Sequence, residues 1–503
     1  MAASELKPTQ PAPPQAGASL AVNVEGYFDT RAGQGEAARL YLRALREAGV
    51  STQTTNVRVA DVMPASPAAG LMPQAPGEIE QSELERDADV NLICVNGLEL
   101  RAFAATRPPG YFTERRCAGV WAWETDAVPE TMIEAAGLLD EIWVYSRYVA
   151  DVLAPALDVP VVVMPLPAVP PRPRGAGVTL DLPDAFTFLF AFDFLATLGR
   201  KNPLGTIEAF KRAFEPGEGP NLVLKAINGS LQWQALEEVR GAIASRADIH
   251  LIDRVMSGDD KAALFDHCDC YVSLHRSEGY GLSIAEAMAL GKPAIATGYS
   301  GNREFMTPTN SYLVDYELVG VEAGNEVYPA DGRWAEPDLD HAAQRMRHVW
   351  EHPDEARAIG GEAHRQMLGR LSPHVIGTMA RAQLERLVLT PRAARPTAAD
   401  GQDAVAELTR HVTFDRDGGA AAGARGLIRR GVLRLMRPFT SPQRRLDEAI
   451  VAELRKTREQ LDAERVRGER DRRRLRDLEA RVDALGPAAR DGRRSAASPQ
   501  RHG

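Results

Sequence analysis

The 503-residue sequence has only four cysteines, Cys94, Cys117, Cys268 and Cys270, and no C-x-x-C pair. That excludes a zinc ribbon or a thioredoxin-like motif, so the four are expected as reduced core thiols. No apolar run reaches the ~18 residues of a membrane-spanning helix, and none is expected. The opening MAASELKPTQPAPPQAG has no apolar segment of the secretory kind, so a cytoplasmic location is expected. Basic residues are not in excess. Sixty Lys and Arg face 69 Asp and Glu, net charge −9, which argues against nucleic acid as a partner. No group of His, Cys or carboxylate residues has metal-ligand spacing. A D-x-D pattern at 415–417 lies far from any glycine loop, so neither a metal nor another cofactor is expected.

What is present is a recurring α/β pattern. LAVNVEGYF (20–28) reads as a strand, DTRAGQG (29–35) as a loop and 36–48 as a helix ended by Gly49. Apolar runs follow at 90–97, 118–123, 141–146 and 159–165. Near-continuous apolar strands of this kind suit a parallel sheet covered on both faces. PLPAVPPRPRGAG (165–177) reads as a linker. The pattern then restarts, with strands at 186–194, 221–227, 248–254, 269–275 and 292–298 and a closing helix at 372–389. The fold class is therefore α/β, with two Rossmann-like doubly wound domains at 19–170 and 171–390.

The densest motif is RSEGYGLSIAEAMALGKPAIAT (276–297). Gly279 and Gly281 sit in a loop between a strand and a helix expected to start at Ser283. Glycines allow close backbone approach, and the free N–H groups of a helix start favour an anion such as a nucleotide diphosphate. Glu278 and Glu286 frame the turn with seven residues between them. Glu286 has a second reading, because Ser283-Ile-Ala-Glu286 also spells a capping box.

The stretch resembles the E-x7-E motif of retaining, family-four type glycosyltransferases of the GT-B fold (glycosyl transferases group 1). The likeness is sharp over 186–306 and looser before it. It implies that Glu278 contacts the donor sugar and Glu286 the nucleotide ribose. Backbone from Gly279 through Tyr280, Gly281, Leu282 and Ser283 would cradle the diphosphate. Arg200 and Lys201, in FDFLATLGRKNPLGTIEAF (192–210), resemble the family's phosphate clamp, although adjacent here rather than spaced. An exposed basic pair is the other reading. By the same likeness, the Gly33 and Gly35 loop faces the cleft and approaches the donor phosphates or the acceptor. Arg254, after HLID, is a further candidate for the nucleotide. In GVWAWETD, Trp121 and Trp123 could stack on a sugar or fill the core, and Glu124 could hold acceptor hydroxyls or act as a base.

The expected activity is transfer of a hexose from a nucleoside-diphosphate sugar to a glycan or glycolipid acceptor, in bacterial surface polysaccharide or glycolipid synthesis. Two rivals remain. Gly33-Gln-Gly35-Glu36-Ala37-Ala38 is a weak dinucleotide fingerprint, which would make the protein an NAD(P)-dependent oxidoreductase. The fold could also be a non-catalytic scaffold acting through its tail. Residues 1–18 and 487–503 are expected to be disordered, and 391–423 to be a linker. The segment 424–446 holds Arg425, Arg429, Arg430, Arg434, Arg437, Arg444 and Arg445, with Ile428, Val432, Leu435, Met436 and Phe439 on one helical face. It reads as a basic amphipathic helix, on the inner face of the plasma membrane or docked on protein. Leu454, Leu461, Leu475 and Val482 recur by sevens in 447–486. They imply an imperfect coiled coil and self-association, or a solvated single helix.

Overall fold

The computed structural model describes residues 20–30, 33–62, 87–171, 180–321 and 327–392. The N-terminal segment 1–18, the linker beyond 392, the basic helix, the coiled coil and 487–503 lie outside the described residues, as do residues 172–177 of the 165–177 linker. Among the described residues no helix is long and apolar enough to cross a membrane.

The first lobe carries one parallel sheet. Its strands are β1 (Ala21–Gly26), β2 (Ser51–Asn56), β3 (Val90–Cys94), β4 (Arg116–Trp121), β5 (Glu141–Val144) and β6 (Val161–Val163), in the order β2-β1-β3-β4-β5-β6. Every residue of β3 and β5 is buried, as expected for strands covered on both faces. Helix α1 (Gly33–Glu47) begins three residues earlier than its apolar pattern suggests and buries Leu40, Leu42, Ala44 and Leu45. Gly49, at φ +73°, ends it in the left-handed conformation that a residue with a Cβ rarely takes.

The second lobe repeats the plan with β7 (Thr187–Asp193), β8 (Asn221–Ile227), β9 (Ile249–Asp253), β10 (Cys270–Ser273), β11 (Ala294–Thr297) and β12 (Tyr312–Val314). Their order, β12-β11-β10-β7-β8-β9, is the doubly wound 6-5-4-1-2-3 arrangement. The chain leaves β7 and β10 on opposite sides of the point where the winding reverses. Ligand crevices form at such points, beyond the carboxyl ends of the strands. All four cysteines are buried, and none is in a disulfide.

Two features tie the lobes together. An antiparallel hairpin, β13 (Tyr316–Gly320) and β14 (Arg333–Pro337), follows the second sheet. Its Val321, Tyr328 and Trp334 are buried in one apolar cluster with Trp121, Trp123 and Leu100 of the first lobe. The backbone N–H and Nε of Arg333 donate to the two carboxylate oxygens of Asp126 at 2.6 and 2.8 Å. The helix expected to close the second lobe does something else. After α5 (Pro353–Leu371), the chain turns at Ser372 into α6 (Pro373–Leu389), which packs on α1 of the first lobe. A Cβ on Gly377 would lie 2.0 Å from the Ala44 carbonyl oxygen, so only glycine lets the two helices cross this closely. The helix expected to close the second lobe thus crosses to the first.

Candidate active site

The interlobe cleft has a volume of about 1640 Å³. Its second-lobe wall is built where the β7 and β10 exits meet. After β7, Thr197 holds φ +61°, a conformation costly for a β-branched residue, and a single helical turn spans Leu198–Lys201. Asn202 (φ +53°) ends that turn and caps the next helix, α2 (Pro203–Ala213), accepting from Gly205 N–H at 3.1 Å. Its amide donates to the Leu274 carbonyl at 2.9 Å, which fastens the turn to the β10 exit. Arg200 and Lys201 are thereby delivered side by side.

Both reach Glu278. Arg200 Nη1 stands 3.3 Å from one carboxylate oxygen and also donates to the Ser277 carbonyl at 2.9 Å. Lys201 Nζ binds the other oxygen. Burial alone would raise the Glu278 carboxyl, but Lys201 and then Arg200 overturn this and hold it at about 2. Glu278 is therefore a fixed anion. Its N–H donates to Ser300 Oγ at 2.8 Å, which sets the carboxylate's position from the backbone side.

Four residues on, helix α4 (Leu282–Ala289) starts at the cleft. The capping box, the other reading of Ser283 and Glu286, does not form. Gly281, at φ +91°, is the N-cap and offers no side chain, so Ser283 lies inside the first turn. The first helical bond is Ala285 N–H to the Gly281 carbonyl, 3.0 Å. The amides of Leu282, Ser283 and Ile284 precede it, beside the cleft. Glu286, released from capping, meets Lys261 from α3 (Gly258–His267) at 2.5 Å. Its other oxygen, Oε2, is buried with no hydrogen-bond partner among the described residues. Burial raises the Glu286 carboxyl against the pull of Lys261.

The remaining predicted residues divide. Gly279 packs 3.4 Å from Ala122 Cβ of the first lobe, measured from an added Cβ, and lines the cleft. Tyr280 also lines it, but its hydroxyl donates to the Leu166 carbonyl at 3.0 Å, so that group holds the lobes rather than a ligand. Gly33 lines the cleft in the first turn of α1, whereas Gly35 does not. An added Cβ on Gly35 would meet the Tyr27 carbonyl at 2.5 Å, which makes it a packing glycine. Glu124 lines the cleft. Trp123 does not. It is 1% exposed, its Nε1 donates to the Ala127 carbonyl at 2.8 Å, and its ring abuts Tyr328. Trp121 is fully buried too. Core packing therefore accounts for both tryptophans, and neither offers a face to a sugar.

Arg254 also falls outside the cleft lining and is exposed. Its carbonyl accepts Lys225 Nζ at 2.7 Å, and Lys225 is the residue that lines the cleft. Burial lowers the Lys225 ammonium to about 8. A lone lysine in the apolar strand NLVLKAI was the available signal. Lys261, in an ordinary charged helix start, gave none.

Residues 194–317 match the family described as Glycosyl transferases group 1. This span holds Arg200, Lys201, Glu278 and Glu286. No curated protein matches the chain. Among solved structures, sucrose-phosphate synthase from Thermosynechococcus elongatus is similar at 14% identity and TM-score 0.51, over 73% of this chain and 98% of that one. HepE from Anabaena, in complex with UDP and glucose, is similar at 12% identity and TM-score 0.49, over 73% and 100%. The pneumococcal O-GlcNAc transferase GtfA, in complex with UDP and GlcNAc, gives 14% identity and TM-score 0.42 over 60% of this chain. This chain spans 57% of GtfA's length. The two facing doubly wound lobes are the GT-B fold, and the part of the second lobe that matches the group 1 glycosyl transferases holds the E-x7-E stretch.

Proposed function

We propose that the protein transfers a hexose from a nucleoside-diphosphate sugar to a glycan or glycolipid acceptor, with retention of anomeric configuration. The observation that carries this reading is Glu278, held ionised by Arg200 and Lys201, one short turn from the open amide end of α4. Fixed cations and helix-start amides suit a leaving diphosphate, because they face its developing charge without reorganising. The sugar hydroxyls would donate to Glu278. The ribose hydroxyls would donate to the unpartnered oxygen of Glu286. The acceptor hydroxyl would attack the anomeric carbon on the face the diphosphate leaves. The new C–O bond forms as the bond to phosphate breaks, and the proton passes to the departing phosphate oxygen. Arg200 and Lys201 neutralise that charge, so the reaction needs no metal.

The basic amphipathic pattern at 424–446 supports work beside an anionic membrane, where surface glycans are assembled. Unchanged membrane-fraction recovery after deletion of that segment would remove this part.

The reading is tested by melting the protein with UDP, GDP, ADP, CMP and NAD. A ligand at about 100 times its Kd adds about 2.7 kcal/mol of stability. One nucleoside diphosphate should stabilise, and the matching sugar nucleotides can then be screened for turnover. Stabilisation by NAD alone would favour an oxidoreductase, and no response to any nucleotide would favour a scaffold.

A further inference from the structure

Tyr27 follows β1 and is 4% exposed, yet its hydroxyl has no hydrogen-bond partner among the described residues. Glu99 lies in the first turn of the helix after β3, and its Oε2 is likewise buried and unpartnered. Both residues line the cleft from the first lobe, beside Asn96 and Glu124. Asn96 spends its Oδ1 on the Ala122 N–H at 3.2 Å, which leaves its amide nitrogen as a donor.

These groups feel one another. Burial, and then the charge of Glu124, pushes the Glu99 carboxyl up to about 7. Burial and then Glu99 raise the Tyr27 hydroxyl. Glu124 also acts on Arg200 of the opposite wall. The cluster thus borders the place where the donor's reacting carbon would lie. A buried hydroxyl and a buried carboxyl oxygen left without partners are costly, and ligand hydroxyls would satisfy both. The charged neighbour acting on Glu99 is another carboxylate, so an anionic ligand meets repulsion there.

We propose that Tyr27, Glu99 and Glu124 form the acceptor subsite, and that it takes a neutral, hydroxyl-rich sugar ring in preference to an acidic or phosphorylated one. The inference rests on the transferase reading above.

The test uses the full chain loaded with the nucleoside diphosphate that stabilises it. Saturation-transfer NMR would compare methyl glycosides of glucose, galactose, mannose and rhamnose with methyl glucuronide and glucose 6-phosphate. At least one neutral glycoside should bind about tenfold more tightly than either anion. Tyr27→Phe and Glu99→Gln should each weaken that glycoside about tenfold, the size expected for one buried hydrogen bond. Nucleotide affinity should stay within about twofold, a split that general misfolding would not give. Three results would overturn the subsite: anions binding as well as neutral sugars, both variants binding like the parent, or no glycoside binding to the loaded protein. If no nucleotide binds, the transferase reading fails first, and the two variants then judge the glycoside site on the unloaded protein.

Discussion

Lys261 Nζ lies 2.5 Å from one oxygen of Glu286, while the other oxygen of that buried carboxylate faces no hydrogen-bond partner among the described residues. Lys261 works against the burial that raises this carboxyl, and the second oxygen keeps its accepting capacity free. Glu286→Gln keeps the size but loses the charge and one pair of acceptor sites. Nucleoside diphosphate affinity measured by calorimetry should fall at least about tenfold, or ~1.4 kcal/mol. Unchanged affinity would remove Glu286 from the nucleotide site.

Lys261→Met should act on the same group from behind. Burial already raises the Glu286 carboxyl, and without its cation that rise is unopposed. Nucleotide binding in the variant should weaken most at mildly acidic pH and recover as pH rises. A parent-like pH profile in titrations from pH 5 to 8 would count against this role for Lys261.

The Glu278 pair sets a different pH signature. The folded carboxyl is held at about 2, below its ordinary 4.5. Its contribution to stability is therefore fully present above pH 4.5 and is lost as pH falls from there toward 2. Glu278→Gln should abolish that acid-side slope. It should also destabilise the protein at pH 7 by about 3–5 kcal/mol, because Arg200 and Lys201 lose the carboxylate they are buried against. Denaturant melts of both proteins across pH 2.5 to 7 would show it. Transfer activity of the variant should fall at least about a hundredfold, as for loss of a group aimed at the reacting sugar.

Gly281→Ala should damage the site with little change in size. The φ of +91° disfavours any Cβ, and an added one would lie 3.1 Å from Ile284 Cδ1. A stability loss of about 1–2 kcal/mol is expected. Because Gly281 sets where α4 begins, nucleotide affinity should fall with it. Gly377→Ala provides the contrast. It forces α6 off α1, so the melting temperature should drop by several degrees while the residues at the nucleotide end stay untouched.

Much of this architecture is written in the chain. Strands such as VNLIC and TFLFAFD are buried on both faces, so their apolar runs are nearly unbroken and stand out. β2 does not. STQTTN is a polar edge strand whose place comes from pairing with β1, and no local pattern marks it. The hairpin Tyr316–Gly320 and Arg333–Pro337 has no local signature, because its buried Val321, Tyr328 and Trp334 find their partners in the other lobe, beyond the range of any window. The E-x7-E stretch announced its carboxylates, but not what they touch. Ser283-Ile-Ala-Glu286 spells a cap that the left-handed Gly281 pre-empts by two residues. Lys225 reached the cleft where Arg254 did not, because strand alternation and the turn after β9 decide which side chain points inward. Trp123 could not be placed from sequence, since a strand-end aromatic suits a core and a sugar equally well.

The hairpin's burial among first-lobe aromatics also bears on how the molecule comes apart. Tyr328 and Trp334 have their apolar partners in Trp123 and its neighbours, while α6 leans on α1 from the other side. Neither lobe is then a closed thermodynamic unit. Excised alone, the second lobe would expose the Tyr328 and Trp334 rings, and the first would lose the apolar cover they give Trp123. The described body should melt in a single cooperative step, with the calorimetric and van't Hoff enthalpies in agreement.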